Sequence, residues 1–269
     1  MNRIKMSEDL NYINYSCYFT VFREGEQFVS YNALSMVISG EMELNDGENR
    51  KVFRSGDVYL VRKNQLLKFL KKPGEEAGFK SLSIRLDDGM LKQMSTEERF
   101  AVPEKVKTPV FIELSHVPHL KYFMESLLQY QDLLENKSPE LAFLKQKEAL
   151  LLLFGYDPSL KNILYDISEP YKINLEEFML KNYHFNVKLD RFAYLTGRSL
   201  AAFKRDFEKI FGTAPGKWLL QRRLQEARYL LEKGKKISDI YLDLGFEDLS
   251  HFSFAFKKQF GLPPSKLSL

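Results

Sequence analysis

Near its C-terminus this 269-residue chain says the same thing twice. Leu189 to Gly197 leads into Ser199 to Phe207, then Phe211-Gly212 and Pro215. Ile237 to Gly245 leads into Ser250 to Lys258, then Phe260-Gly261 and Pro264. Gly197 and Gly245 stand 48 residues apart, while Phe203, Phe207, Gly212 and Pro215 are matched at 49 by Phe252, Phe256, Gly261 and Pro264. The extra residue belongs in a turn, where insertion costs little. Agreement at so many positions requires two copies of one supersecondary unit, which no single motif would.

Each copy reads as a short helix, a glycine turn and a second helix. Leu189, Phe192 and Ala193 take the i, i+3, i+4 spacing of a packed face. Gly197 and Gly245 follow a helix end, where glycine adopts a left-handed conformation at little cost. Ser199 reads as the N-cap of the second helix, and Leu200, Phe203 and Phe207 as its buried stripe. At about 100° per residue the opposite face carries Ala201, Ala202, Arg205 and Lys209, with Lys204 at its edge. That is helix-turn-helix geometry, in which one helix braces and the other lies in the major groove. A pair of αα-hairpins with solvated basic faces is the plainer alternative.

A longer helix, Pro215 to Leu231, bridges the two copies, with Leu220, Leu224, Ala227 and Leu231 as its apolar stripe. It forms a rod of roughly 24 Å, long enough to set two angled helices about one DNA turn (~34 Å) apart. Trp218, the only tryptophan, reads as a core anchor rather than a base-stacking residue. Leu175, Phe178 and Met179, within Asn174 to Lys181, mark a packing helix ahead of the first copy.

The two copies with their bridge resemble the DNA-binding unit of the AraC/XylS family of bacterial transcription regulators. The specific part is the tail: Gly245-Phe246-Glu247-Asp248, Ser250-His251-Phe252, Phe256-Lys257-Lys258 and Phe260-Gly261-Leu262-Pro263-Pro264. The resemblance covers about the last 100 residues and implies seven helices with two helix-turn-helix motifs. It also implies base contacts from Ala201, Lys204 and Arg205; helix faces and charge add Ser199 and Lys209 in the first motif, and Ser250, His251, Phe254 and Lys257 in the second, as DNA-binding candidates. The family often has arginine where this chain has Phe254.

Charge agrees with that division. From Pro170 onward there are 18 Lys and Arg against 11 Asp and Glu, a net +7, and the remainder carries −3. Phosphate binding suits the basic part and a different task the acidic part. The excess is small for a nucleic-acid binder, so charge supports the reading without making it. A single cysteine, Cys17, excludes an intramolecular disulfide and suits the cytoplasm. No apolar run reaches 18 residues, and Met1 to Glu8 has no apolar leader core, so no membrane association is expected.

From about Tyr12 to Leu86 short β-favouring runs alternate with turn clusters. The runs are Tyr18 to Phe22, Leu34 to Ile38, Glu41 to Leu44, Asp57 to Arg62, Leu67 to Leu70 and Phe79 to Arg85. Ser35 to Leu44, followed by Phe53 to Val61, resembles the cupin-like double-stranded β-helix of the same family. Metal-dependent cupins use several histidines, but His116, His119, His184 and His251 all lie outside the strand region. With no nucleophile motif, phosphate loop or CxxC pair either, neither a metal, a cofactor nor an enzymatic activity is expected. Tyr18, Phe22, Tyr59 and Phe69 either line a ligand cavity or fill it, since small barrels are often packed shut. The family resemblance leaves a small-molecule effector and a regulatory protein both open as partners of this domain.

Helical periodicity returns with Leu120, Phe123, Met124, Leu127 and Leu128, then with Leu141, Leu144, Glu148 and Leu151 after Ser138-Pro139. Leu150 to Phe154 is apolar all round and needs a second burial partner. The family dimerises through helices here, which implies a homodimer built on Leu141, Leu144 and Leu151; the alternative is burial against the chain's own barrel and a helix from Pro158 to Tyr165. Asp166 to Lys172 reads as the joint.

The fold expected is therefore α+β in two domains. Residues 1–166 form a cupin-like double-stranded β-helix with dimerisation helices, and residues 167–269 an all-α double helix-turn-helix. The function expected is sequence-specific regulation of transcription, in the cytoplasm, by an activator that binds double-stranded promoter DNA and touches RNA polymerase. A helical domain that docks protein instead of DNA, and a barrel enzyme with a DNA-binding appendage, are the competing readings.

Overall fold

The structure is a computed structural model that describes residues 13–19, 22–75, 78–101, 109–134 and 138–267. Among the described residues nine strands come first: β1 Ile13–Tyr18, β2 Phe22–Val29, β3 Asn32–Ser39, β4 Glu41–Asn45, β5 Arg50–Arg54, β6 Val58–Val61, β7 Gln65–Lys72, β8 Phe79–Leu86 and, further on, β9 Phe111–Glu113. They form two antiparallel sheets, β1-β8-β3-β6-β9 and β2-β7-β4-β5.

The five-stranded sheet is a middle layer. Alternate side chains of a strand point to opposite faces, and here both faces are covered. Val37, Tyr59, Val61 and Phe79 meet Met42, Leu44, Phe53 and Leu67 of the other sheet. Leu34, Met36, Val58, Leu60, Leu82 and Ile84 face helices. Those helices are α1 Asp88–Glu97, α2 Pro118–Leu127, the short α3 Gln131–Leu134, α4 Pro139–Tyr156 and α5 Leu160–Leu164. Double coverage explains why every residue of β6, and all of Asn32 to Val37 in β3, is buried.

The chain then runs without regular structure to six further helices: α6 Leu175–Asn182, α7 Leu189–Leu195, α8 Leu200–Phe211, α9 Pro215–Glu232, α10 Ile237–Ile240 and α11 Leu249–Phe260. They make two cores rather than one. Leu175, Met179, Phe185, Phe192, Phe203, Phe207 and Leu219 form the first. Leu224, Ala227, Leu231, Ile240, Phe246, Phe252 and Phe256 form the second. The first half of α9 belongs to one core and its second half to the other. Trp218 packs in the first, its ring centroid 4.5 Å from Phe211 and 5.5 Å from Phe207.

Several expectations are corrected. Tyr18 to Phe22 is not a strand: β1 ends at Tyr18 and β2 begins at Phe22. Tyr12 and the Phe22 side chain lie outside what the structure describes. β5 and β9, absent from the sequence reading, are edge strands, and β5 (Arg50-Lys51-Val52-Phe53-Arg54) buries only Phe53. Leu220 is exposed, and the buried row of α9 is instead Leu219, Arg223, Ala227 and Leu231, with Leu224 beside it. Leu200, at the first turn of α8, is also exposed. Leu141 is half-buried against its own domain's core.

Candidate DNA-binding surface

Local chemistry fixes where α8 and α11 begin and end. Ser199 Oγ accepts from the amide of Ala202 at 3.3 Å, and Gly212 closes α8 in the left-handed conformation. In the second copy the N-cap is Asp248, whose carboxylate accepts from the His251 amide at 2.6 Å, and Gly261 ends α11 in the same way. A side-chain acceptor at the N-cap satisfies one of the free amides of the first turn. Ser199 and Asp248 occupy equivalent places, so the extra residue lies before the cap: Arg198 alone in one copy, Phe246-Glu247 in the other.

With the caps set, the 3.6-residue period sorts each helix. Phe203 and Phe207 of α8, and Phe252 and Phe256 of α11, are fully buried. Ala201, Lys204, Arg205 and Lys209 are exposed on α8, as are Ser250, His251, Phe254 and Lys257 on α11. Ser199 is exposed as well. The predicted contact residues therefore stand on the open flanks of two helices held by one rod, α9. At 18 residues that rod is about 27 Å long. Superimposing the copies puts Phe254 at the place of Arg205 and Lys258 at that of Lys209. The first flank thus offers a forked guanidinium, and the second a phenyl ring that is 70% exposed.

The Arg205 guanidinium has Asp206 close by, with Oδ1 3.6 Å from its Nη2. Asp206 is chiefly engaged by buried Arg198, whose Nε donates to it at 3.2 Å and holds its carboxyl below the usual carboxylate range. Arg198 also donates to the carbonyls of Ile173 and Thr196, at 3.0 and 2.6 Å. Neither this buried arginine nor Arg223 was singled out from sequence. The available signal was an arginine at i+4 from Leu219 and i−4 from Ala227, inside an apolar row.

The first unit is also covered by the N-terminal sheets. Leu66 of β7 is buried in its core, the ring of Phe28 meets that of Tyr194 edge-on at 5.7 Å, and Glu48 pairs with Lys181 at 2.7 Å. Lys68 donates to the carbonyls of Leu242 and Asp243 in the second unit. A cavity of about 390 Å³ lies beside this contact, lined from one side by Asn32, Arg62 and Asn64 and from the other by Tyr171, Phe178 and Lys181. The buried Asn32 Nδ2 at its wall has no hydrogen-bond partner among the described residues. Burial lowers the Arg62 pKa, and Asp166 opposes that shift.

Apolar side chains are left open elsewhere. On α4, Leu144 and Leu151 are 60% and 55% exposed, with Phe143 and Tyr156 also in solvent. His116 shares a hydrogen bond of 2.5 Å with the Tyr156 hydroxyl. Among the described residues no helix is long and apolar enough to cross a membrane.

Comparison with known proteins divides along the same line. The family described as "Helix-turn-helix domain" matches residues 192–268, and that described as "ExsA N-terminal regulatory domain" matches residues 32–163. The HTH-type transcriptional regulator ExsA of Pseudomonas aeruginosa is 28% identical over 239 residues, 86% of this chain and 84% of the relative. The virulence regulon transcriptional activator VirF of Yersinia enterocolitica is 38% identical over 96 residues, 35% of each chain, so this match spans about a third of that relative. Among solved structures, ToxT from Vibrio cholerae aligns with a TM-score of 0.40 at 15% identity, covering 94% of this chain and 95% of that one.

Proposed function

The chain belongs to the AraC/XylS family of DNA-binding transcription regulators, and we propose that it activates transcription by laying α8 and α11 into successive major grooves of promoter DNA. The observation that carries this reading is the repeated sorting of α8 and α11. Each buries a pair of phenylalanines, and each leaves the opposite flank open at either end of one rigid helix. Arg205 and Lys204 read base edges, Ser199, Ala201 and Lys209 support them, and Ser250, His251, Phe254 and Lys257 form the second contact. Activation is supported by the activator named among the relatives, and contact to RNA polymerase is proposed with it. We assign no enzymatic role, and a cytoplasmic location follows from the task.

Residues 1–166 then serve as the regulatory part and 167–269 as the DNA-binding part. The facing sheets suit a cupin-like double-stranded β-helix, and the open α4 face with Leu144 and Leu151 suits a homodimer. Phe53, Tyr59 and Phe79 occupy the space between the sheets, with Phe53 and Tyr59 stacked at 4.1 Å. A small effector would therefore sit in the 390 Å³ cavity beside α6, where Asn32 Nδ2 offers an unused donor. A regulatory protein acting on the same domain is the other arm.

The test is selection of duplexes from a random library by the full chain, followed by affinity measurement across a salt series. Enrichment of one sequence with two half-sites, and a steep fall of log K with log salt, is the expected result. Binding all duplexes equally, or binding none, would remove the reading.

A further inference from the structure

Two helix-turn-helix units on one rod read a composite site only if their mutual angle is fixed. Their cores are separate, so the rod alone leaves each unit free to tilt about it. A buried side chain crosses the gap. Arg223, in the middle of α9 and buried, donates from Nε to the Tyr183 carbonyl at 2.8 Å and from Nη2 to the Phe185 carbonyl at 2.8 Å. Both carbonyls belong to the segment between α6 and α7 of the first unit. Its Nη1 donates to the carbonyl of Gly245, the turn residue of the second unit, at 3.1 Å.

We infer that Arg223 is the positioning residue that sets the spacing of half-sites the protein accepts. The planar guanidinium carries its donors in a fixed fork, so three carbonyls bound at once define both distance and rotation between the segments they come from. Gly245 is shaped to this contact. A Cβ there would stand 2.7 Å from the His184 carbonyl oxygen and 3.1 Å from Arg223 Cζ, and the residue has φ +80. Arg198, beside the turn glycine of the first unit, instead reaches back to Ile173 ahead of α6. Asn186 Nδ2, 3.2 Å from Glu247 Oε1, adds an exposed contact across the same seam. Lysine at 223 presents one ammonium and cannot hold all three carbonyls in one plane.

The inference rests on DNA reading by both units and is tested with and without DNA. In the full chain with Cys17→Ser, spin labels at Lys209→Cys and Lys258→Cys report the distance between equivalent points of α8 and α11. Wild-type Arg223 should give one narrow distribution, Arg223→Met a broad or shifted one, and Arg223→Lys an intermediate one. With the duplex that the full chain selects, deleting one base pair between the half-sites rotates the second by about a tenth of a turn. That deletion should weaken wild type about tenfold and Arg223→Met less than threefold, while both bind a duplex carrying only the first half-site equally. A general loss of folding would instead lower single-half-site binding. Should Arg223→Met not fold, the lysine variant carries both measurements. An unchanged label distribution, or an undiminished spacing penalty, overturns the inference. Failure of wild type to select any sequence would remove the DNA reading while the label experiment still judges Arg223.

Discussion

Gly47, in the turn between β4 and β5, lies so close to His184 that a Cβ built on it would stand 2.8 Å from the imidazole Nε2. The turn has φ +93 at this residue, a conformation side-chain-bearing residues rarely adopt. The regulatory sheets thus press bare backbone against the segment that joins α6 to α7. Gly47→Val should part the two surfaces, because both the conformation and the space are denied to it. Proteolysis within residues 166–174 should then quicken severalfold. Adding His184→Ala, which clears the ring, should restore part of the protection. Unchanged cleavage in Gly47→Val would show that the contact is incidental.

His184 itself gives a pH dependence. Burial, then the nearby charges of Lys68 and Arg223, lowers its pKa to about 3 from the usual value near 6.5. The folded chain therefore holds this imidazole neutral over a range where the unfolded chain protonates it. Stability from this group is fully present above about pH 6.5 and falls progressively as pH drops towards 3. His184→Gln should flatten that part of the curve between pH 6.5 and 5 in denaturant unfolding. If wild type and variant keep a constant difference across the range, the ring is not held neutral.

Where apolar side chains recur at the helix period, the sequence was readable. Phe203 and Phe207, repeated as Phe252 and Phe256, marked the two copies, and all four are fully buried. Reading failed where a polar residue took an apolar place. Arg223 is buried because three carbonyls receive it, so the stripe of α9 runs through Leu219 while Leu220 points outward. β5 escaped notice because an edge strand with one buried side chain lacks the alternation that marks a strand. Asp248 was not read as the second N-cap because the copies differ by one residue just before it. The contacts of Glu48, Lys68 and Gly47 with the helical units join positions far apart in sequence, and no local pattern encodes them.

The open face of α4 carries a direct prediction. Leu144 and Leu151 are mostly exposed, so their replacement leaves the monomer's core intact. In a dimer a carboxylate there would be desolvated without a partner, which is costly. Leu144→Glu or Leu151→Glu should shift sedimentation from dimer to monomer without lowering the melting temperature. Leu141, half-buried against its own domain, is the poorer probe because its loss also disturbs folding. Wild type sedimenting as a monomer at high micromolar concentration would end the idea.

Arg205 and Phe254 occupy the same place in the two copies, and they should not read DNA alike. The Arg205 side chain is two-thirds exposed, with Asp206 beside it, and its fork matches O6 and N7 of guanine. Arg205→Ala should cost about 1–3 kcal/mol at one operator position and flatten preference there. A loss that is uniform across sequences would mark a phosphate contact instead. Phe254 has no hydrogen bond to offer and can touch only a thymine methyl or a sugar face. Phe254→Ala should therefore weaken binding several times less than Arg205→Ala, and saturation of the operator should place most of the loss in the half-site beneath α8. Phe254→Arg should create a guanine preference in the other half-site, since the backbone position already faces outward from the buried Phe252 and Phe256. Equal losses in both half-sites of the wild-type operator would mean that Ser250 and His251 read sequence as strongly as Lys204 and Arg205, and the asymmetry drawn from Phe254 would be wrong.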